Sequence, residues 1–177
     1  MEYKIDKMSS DDWGQVRLIY LEGIASGNST FEVDAPNWEK WDSDHLAEPR
    51  LVARAGERIL GWGALSPVSG RGVYSGVVEV SLYVGAQYRG VGIGSALLAA
   101  LVVDSERAGI WTLQGAIFPE NATSLRLVKK HGFREVGRRE KVGKMTSGNL
   151  AATWRDVVLV ERRSKIVGVC EEWEERF

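Results

Sequence analysis

The strongest constraint on the fold is a strand, a glycine-rich turn and a helix that follow one another closely. Residues 77–84 alternate like a strand, and the sequence RGVGIGSALL follows at positions 89–98, where it opens a long apolar helix. Glycines let a backbone curl tightly with its N–H groups pointing inward. The first helical turn leaves further N–H donors without partners, and the helix dipole favours negative charge there. We therefore expect this turn to bind a phosphate-bearing ligand.

Two common phosphate-binding motifs do not fit this turn. A P-loop requires G-x-x-x-x-G-K-[ST], but no lysine follows Gly94. A dinucleotide fingerprint requires G-x-G-x-x-G, but the glycines here stand at 90, 92 and 94. The string does match R-x-x-G-x-G, formed by Arg89, Gly92 and Gly94. It thus resembles the pattern with which GNAT acyltransferases cradle the pyrophosphate of acetyl-CoA.

Other segments extend this resemblance over residues 3–163. The segments 71–74, 78–84, 118–124, 132–133 and 154–157 occur in the order and spacing of the family. These segments resemble the phosphinothricin acetyltransferase branch of the family. The resemblance implies acetyl-CoA as co-substrate and direct transfer, in a ternary complex, to the primary amine of a small amino acid or analogue. Phosphinothricin, methionine sulfone and methionine sulfoximine are acceptors of this type. A non-catalytic acyl-CoA-binding module and a protein N-terminal acetyltransferase remain alternatives.

The predicted elements follow the order β-α-α-β-β-β-α-β-α-β-β, as in a GNAT domain. Strands are expected at residues 3–6, 51–54, 59–65, 77–84, 113–117, 133–144 and 154–162. Helices are expected from residue 9 or 10 to about 24, and at 38–46, 92–108 and 121–130. The resemblance implies an α/β (α+β) class with a mixed, mostly antiparallel sheet and helices on both faces. It also implies a sheet splayed at the acetyl-CoA site. Residues 1–163 would form the domain and residues 164–177 an acidic tail, either a solvated helix or a frayed end.

Composition narrows the class of protein further. A chain of 177 residues fits one domain, and a net charge of −1 does not suggest a nucleic-acid partner. Cys170 is the single cysteine, so an internal disulfide framework is excluded. With only His45 and His131 besides, we expect no metal site. The charged N-terminus lacks the apolar core of a signal peptide, so we expect a cytoplasmic protein without a membrane partner.

Glu79 is the candidate catalytic residue. Strand alternation puts it on one face with Ser81 and Tyr83, opposite Val78 and Val80. A carboxylate in the middle of a strand is unfavourable unless it is solvated, paired or functional. Acetyl transfer needs a neutral amine, and a partly buried carboxylate with a raised pKa can accept the proton. The family's glutamate occupies this position. A structural pairing with an arginine or a solvent-facing side chain is the alternative.

The resemblance also assigns the acetyl-CoA site. The strand before the turn and the turn itself contribute Leu82, Val84, Arg89, Gly90, Val91, Gly92, Ile93, Gly94 and Ser95. Asn121 and Ser124 complete the site. Asn121 is expected to cap a helix and, by the resemblance, to bond the pantetheine arm as well.

Acceptor binding is assigned to three regions. Arg71 and Tyr74 lie on the loop before the central strand, where an arginine suits a carboxylate or phosphinate. Thr30 and Phe31 would form another wall. Trp154 and Asp156 begin the last strand, which the resemblance places near the pocket and the interface of a homodimer. A solvent-facing Arg71, and a core Trp154 with a strand-end aspartate, are the alternatives.

The chain departs from the family at the helix expected over residues 121–130. Val128 replaces the usual histidine, and His131 stands three residues later. No tyrosine follows Tyr88, although many GNAT enzymes place a tyrosine on this helix as general acid. A thiolate is a good enough leaving group to take its proton from water.

Overall fold

A seven-stranded sheet in the order β1-β2-β3-β4-β5-β7-β6 carries the fold. The computed structural model describes residues 2–169. The strands are β1 (Lys4–Lys7), β2 (Arg50–Ala55), β3 (Arg58–Pro67), β4 (Val77–Val84), β5 (Thr112–Ile117), β6 (Arg134–Lys144) and β7 (Trp154–Arg163). The helices are α1 (Trp13–Ala25), α2 (Trp38–Asp44), α3 (Ile93–Arg107) and α4 (Ala122–Lys130). None of these helices is long and apolar enough to cross a membrane.

Strands β4 and β5 are the parallel neighbours in this sheet, and they diverge after a short contact. Their register runs from the pair Val77–Thr112 to the pair Glu79–Gln114 and then stops. Beyond that rung β4 remains paired with β3 as far as Val84, and β5 remains paired with β7 as far as Ile117. The predicted splayed, mixed and mostly antiparallel sheet is therefore confirmed.

The sheet has a separate hydrophobic core on each face. Helices α1 and α2 cover one face, with Trp41 and Trp62 fully buried between them and the sheet. Helices α3 and α4 cover the other, with Leu97 and Val78 at its centre. Tyr83 packs against the first core, whereas Val78 and its alternate neighbours pack against the second. The alternation predicted for β4 is thus the alternation that the structure shows, and Glu79 points towards the α1/α2 side.

Local capping signals set several boundaries as predicted. The Asn121 side chain caps α4 by accepting a hydrogen bond from the N–H of Ser124 at 3.1 Å. Gly132 closes α4 in the left-handed conformation, with φ +83°. Helix α2 ends at Asp44, two residues earlier than predicted, because the N–H of Leu46 donates to the carbonyl of Leu65 at 2.8 Å. A tertiary hydrogen bond to β3 competes there with the helical one.

The segment that follows β7 is attached to the domain where the structure describes it. Ser164 is buried, its N–H donates to the carbonyl of Trp111, and its hydroxyl donates to Glu106 at 3.0 Å. Residues 164–169 are not helical. The described part of the tail is therefore largely exposed but forms no helix. Residues 170–177 lie outside the described residues, and a boundary at Arg163 stays a prediction.

Candidate active site

A cavity of about 670 Å³ lies at the gap between β4 and β5. Its walls come from both faces of the sheet. On the α1/α2 face it is lined by Tyr20, Trp41, His45, Glu79, Ser81 and Tyr83. On the α3/α4 face it is lined by Val80, Leu82, Leu98, Leu127, Val128 and Phe133. The divergence of the two strands thus gives one cavity with a polar end and an apolar end.

Glu79 lies at the point where the strands separate. Its register partner on β3 is Ser66, and its register partner on β5 is Gln114. Both of these neighbours also line the cavity. Burial raises the pKa of the Glu79 carboxyl, and a hydrogen bond from Gln114 lowers it in part. A carboxylate with a raised pKa beside a cavity can accept a proton from a bound amine.

Two tyrosines line the polar end together with Glu79. Tyr20 on α1 and Tyr83 on β4 have ring centroids 4.8 Å apart, and Tyr83 stacks on Trp62 at 4.9 Å. Gly23 permits this packing, because a Cβ there would come within 2.6 Å of the Tyr83 ring. Burial raises the pKa of both phenols, so each hydroxyl stays protonated as a hydrogen-bond donor.

His45 contributes a hydrogen-bond acceptor to the same end. Its Nδ1 lies 2.7 Å from the carbonyl oxygen of Trp41, to which it donates, and its ring stacks on Trp41 at 4.2 Å. Burial lowers the pKa of His45, which favours the neutral ring. A neutral His45 that donates through Nδ1 has a free lone pair on Nε2.

The glycine-rich turn between β4 and α3 has the geometry of an anion site. Gly90 and Gly92 have φ of +80° and +92°, and a Cβ on either would meet no atom within 4 Å. The first helical bond of α3 runs from the N–H of Ala96 to the carbonyl of Gly92, so the preceding N–H groups of the turn are orphan donors. A Cβ on Gly94 would lie 3.4 Å from Leu127 and 3.5 Å from Val84, which is ordinary van der Waals contact.

The remaining side chains of the turn are divided between solvent and core. Val91 is exposed, whereas Ile93 is buried in the core and can offer only its backbone to a ligand. Arg89 donates from Nε to the carbonyl of Val84 at 3.2 Å. The Ser95 hydroxyl lies 2.8 Å from Nε2 of His131, which closes the turn against the end of α4. Burial lowers the pKa of His131, and nearby Lys130 and Arg162 lower it further.

Asn121 and Ser124 lie on the cavity wall, and Asn121 is already engaged by the protein. Its Oδ1 caps α4, and its Nδ2 donates to the carbonyl of Asn28 at 3.0 Å. The predicted cap is confirmed. One amide hydrogen of Asn121 is left for the pantetheine bond, which stays a prediction.

The residues predicted to bind the acceptor divide into two groups. Thr30 and Phe31 line the cavity, within a segment between α1 and α2 that we call the acceptor loop (residues 26–32). Arg71, Tyr74, Trp154 and Asp156 do not line it. The Arg71 guanidinium instead lies 5.7 Å from the Tyr74 ring centroid, on a turn that leads directly into β4.

At the start of β7, Asp156 has structural partners. It accepts hydrogen bonds from the backbone of Lys141, which has a φ of +48°, and from Arg138. These bonds lower the pKa of the Asp156 carboxyl and hold the bulge of β6. Trp154 is 55% exposed, so it does not lie in the core of its own chain.

Sequence reasoning missed the tyrosine and histidine walls of the cavity. Tyr83 could have been found, because alternation puts it on the Glu79 face of β4. Tyr20 and His45 gave no local signal, since each reaches the cavity only through the packing of α1 and α2 on the sheet. Tyr88 is buried and packs in the core of the α3/α4 face.

Comparison with known proteins identifies the family to which the chain belongs. Residues 13–133 match the Acetyltransferase (GNAT) family. The chain belongs to this family and is a GNAT N-acetyltransferase. It is 34% identical to the L-methionine sulfoximine/L-methionine sulfone acetyltransferase of Pseudomonas aeruginosa, over 83% of this chain and 90% of that protein. It is 28% identical to the phosphinothricin N-acetyltransferase of Alcaligenes faecalis, over 86% of this chain and 78% of that protein.

A solved structure shares the fold. The phosphinothricin acetyltransferase of Sinorhizobium meliloti, crystallised in complex with acetyl-CoA, aligns with a TM-score of 0.83 and 23% identity, over 99% of this chain and 95% of that one.

Proposed function

We propose that this enzyme transfers the acetyl group of acetyl-CoA to the primary amine of a small amino acid or analogue. The observation that carries the proposal is the position of Glu79, a half-buried carboxylate at the gap where β4 and β5 separate. The glycine-rich turn lies at one end of β4 and supplies orphan N–H donors for a pyrophosphate. Leu82 and Leu127 make an apolar wall between the turn and Glu79 that suits the pantetheine arm.

The transfer needs no covalent enzyme intermediate. Glu79 takes a proton from the acceptor ammonium, directly or through water, and frees the nitrogen lone pair. The nitrogen attacks the thioester carbonyl and a C–N bond forms. The tetrahedral adduct then loses its second N–H proton to water, and the C–S bond breaks to release the amide and the thiolate of CoA. The thiolate takes its proton from water. Cys170, the single cysteine, lies outside the motifs, so direct attack in a ternary complex is preferred over an acyl-enzyme.

The amino-acid acceptor is supported by the names of the relatives and by the chemistry of Arg71. Among the described residues the cavity is lined by the acids Glu32, Asp34, Asp44 and Glu79 and by the base Lys40, which is itself paired with Asp44. An acceptor carboxylate would therefore need a further cation. Arg71 is the candidate, because it is exposed on the turn that leads into the strand of Glu79.

A thiol-release assay with acetyl-CoA tests this function. We expect turnover with methionine sulfone, methionine sulfoximine or phosphinothricin, and much weaker turnover with the matching amines that lack a carboxylate. Arg71→Gln should raise KM for the amino acid and leave KM for acetyl-CoA unchanged. Preferred turnover of peptides with a free N-terminal amine would instead support a protein N-terminal acetyltransferase and reject the small acceptor.

Gly92→Ala should weaken binding of acetyl-CoA because the new methyl group fills the open cradle. Gly109→Ala is the matched control, since Gly109 follows the other end of α3 with a φ of +77° and equally open surroundings. Each substitution forces alanine into the left-handed region at a cost of about 1–2 kcal/mol. Calorimetry should show about tenfold or greater loss of acetyl-CoA affinity for Gly92→Ala alone. Equal affinity of the two folded variants would remove the turn from the site.

Glu79→Gln should lower kcat by about 10²–10⁴-fold, because it removes the base and keeps the shape. The activity of the parent enzyme should rise with pH, because Glu79 acts as a base only when it is deprotonated. The midpoint of this rise should lie above the ordinary pKa of a glutamate, since burial raises the pKa of Glu79. Gln114→Leu removes a hydrogen bond that lowers this pKa, so the acidic limb of the pH–rate profile should move to higher pH. Glu135→Gln, on an exposed position of β6, is the control. Near-parental rates for Glu79→Gln at every pH would leave Glu79 a structural residue.

We also propose a cytoplasmic homodimer in which Trp154 anchors the interface and the partner helps to build the acceptor pocket. Trp154 is more than half exposed, and Leu150, in the turn before β7, is also exposed. Large exposed aromatic side chains are common anchors of interfaces. Activity should fall with dimer content on dilution, as measured by sedimentation beside the assay. A fully active monomer would reject the shared pocket.

A further inference from the structure

The acceptor loop is held in place by side chains from β7 and from the start of α4. Gly27, with a φ of +64°, lies in an irregular segment after α1. The carbonyl of Gly27 accepts a hydrogen bond from Nη1 of Arg155 at 2.9 Å, and Oδ1 of Asn28 accepts one from Nη2 of Arg155 at 3.0 Å. The carbonyl of Asn28 accepts the bond from Asn121 described above. The conformation of the loop therefore depends on β7 and on the start of α4.

Arg155 is an unusual residue to find on β7. Its side chain is 6% exposed, and burial of an arginine is unfavourable unless its donors are paired. The guanidinium forms an ion pair with Glu120 at 2.9 Å and lies 3.9 Å from the centroid of the Phe118 ring. Phe118 in turn packs edge to face against Phe31 of the acceptor loop, with centroids 4.9 Å apart.

We propose that Arg155 is a positioning residue that fixes the acceptor loop against the turn between β5 and α4. This inference rests on the proposed function, because it assigns the loop to the acceptor and the turn to the pantetheine arm. The planar fork of the arginine binds the loop on one side and Glu120 on the other. Thr30 and Phe31 thereby keep a set distance from Asn121, and the amine keeps a set distance from the thioester.

Two substitutions break this link from opposite ends. Arg155→Lys keeps a positive charge for Glu120 but cannot reach two loop acceptors and a carboxylate together. Asn28→Ala removes the Oδ1 acceptor from a half-buried loop position and leaves the arginine in place. If Arg155→Lys fails to fold, Asn28→Ala carries the test. Arg162→Lys is the matched control, because Arg162 lies on the same strand and pairs with Glu106 at 3.0 Å on the side of α3.

Hydrogen exchange followed by mass spectrometry measures the loop without any acceptor. We expect amide exchange in residues 26–32 to accelerate about tenfold or more in Arg155→Lys and Asn28→Ala, and to remain at the parental rate in Arg162→Lys. Unchanged exchange in both folded variants would overturn the proposal. So would an equal acceleration in Arg162→Lys, since it would indicate a general loss of stability.

Steady-state kinetics with an accepted amine measures the consequence. We expect KM for the amine to rise about tenfold or more, with KM for acetyl-CoA within about twofold of the parent. The acidic limb of the pH–rate profile should not move, because Glu79 and Gln114 are untouched. A parental KM for the amine despite faster loop exchange would overturn the positioning role. Absence of any accepted amine would contradict the proposed function and leave the exchange result to decide on Arg155.

Discussion

The separation of β4 from β5 is the constraint on which the rest of the site depends. Parallel strands ordinarily continue their ladder, because unpaired backbone N–H and C=O groups are costly when buried. Here the ladder stops at the pair Glu79–Gln114, yet each strand keeps its partner on the outer side. The inner edges are left with free hydrogen-bonding capacity towards a cavity. An extended ligand with amide groups, such as a pantetheine arm, is suited to such an edge.

Because the strands diverge, side chains from both faces of β4 reach the same cavity. Alternation along β4 sends Glu79 and Tyr83 to the α1/α2 face and Leu82 to the α3/α4 face, so one strand supplies both a proton acceptor and an apolar wall. The glycine-rich turn follows the same strand, and its N–H donors lie beyond the apolar wall. The proposed anion site, the apolar wall and the proposed base therefore follow one another along a single segment of chain.

Features that depend on neighbouring residues were predictable, and features that depend on packing were not. The bounds of β4, the Asn121 cap and the Gly132 terminus follow from alternation, a side-chain acceptor and a left-handed glycine, all of which are local. Arg155 contacts Gly27 and Asn28, which lie 128 and 127 residues away in the sequence. No periodic pattern of residues along the sequence indicates such long-range contacts. The hydrogen bonds of Asp156 with Arg138 and with the backbone of Lys141 could not be predicted either, since they depend on the bulge of β6. A motif can place a residue on a strand, but tertiary packing decides what that residue faces.

The burial of Glu79 bears directly on its proposed role as the base. An exposed glutamate is far less basic than an amine, so the proton of an acceptor ammonium would stay on nitrogen. Removal from water disfavours both charged partners: it raises the pKa of a carboxyl and lowers that of an ammonium. The first of these effects acts at Glu79, because burial raises the pKa of its carboxyl. Entry of the amine and of the acetyl donor displaces further water from the same cavity. A raised pKa of Glu79 and a lowered pKa of the ammonium would both favour the proton transfer that the proposed mechanism requires.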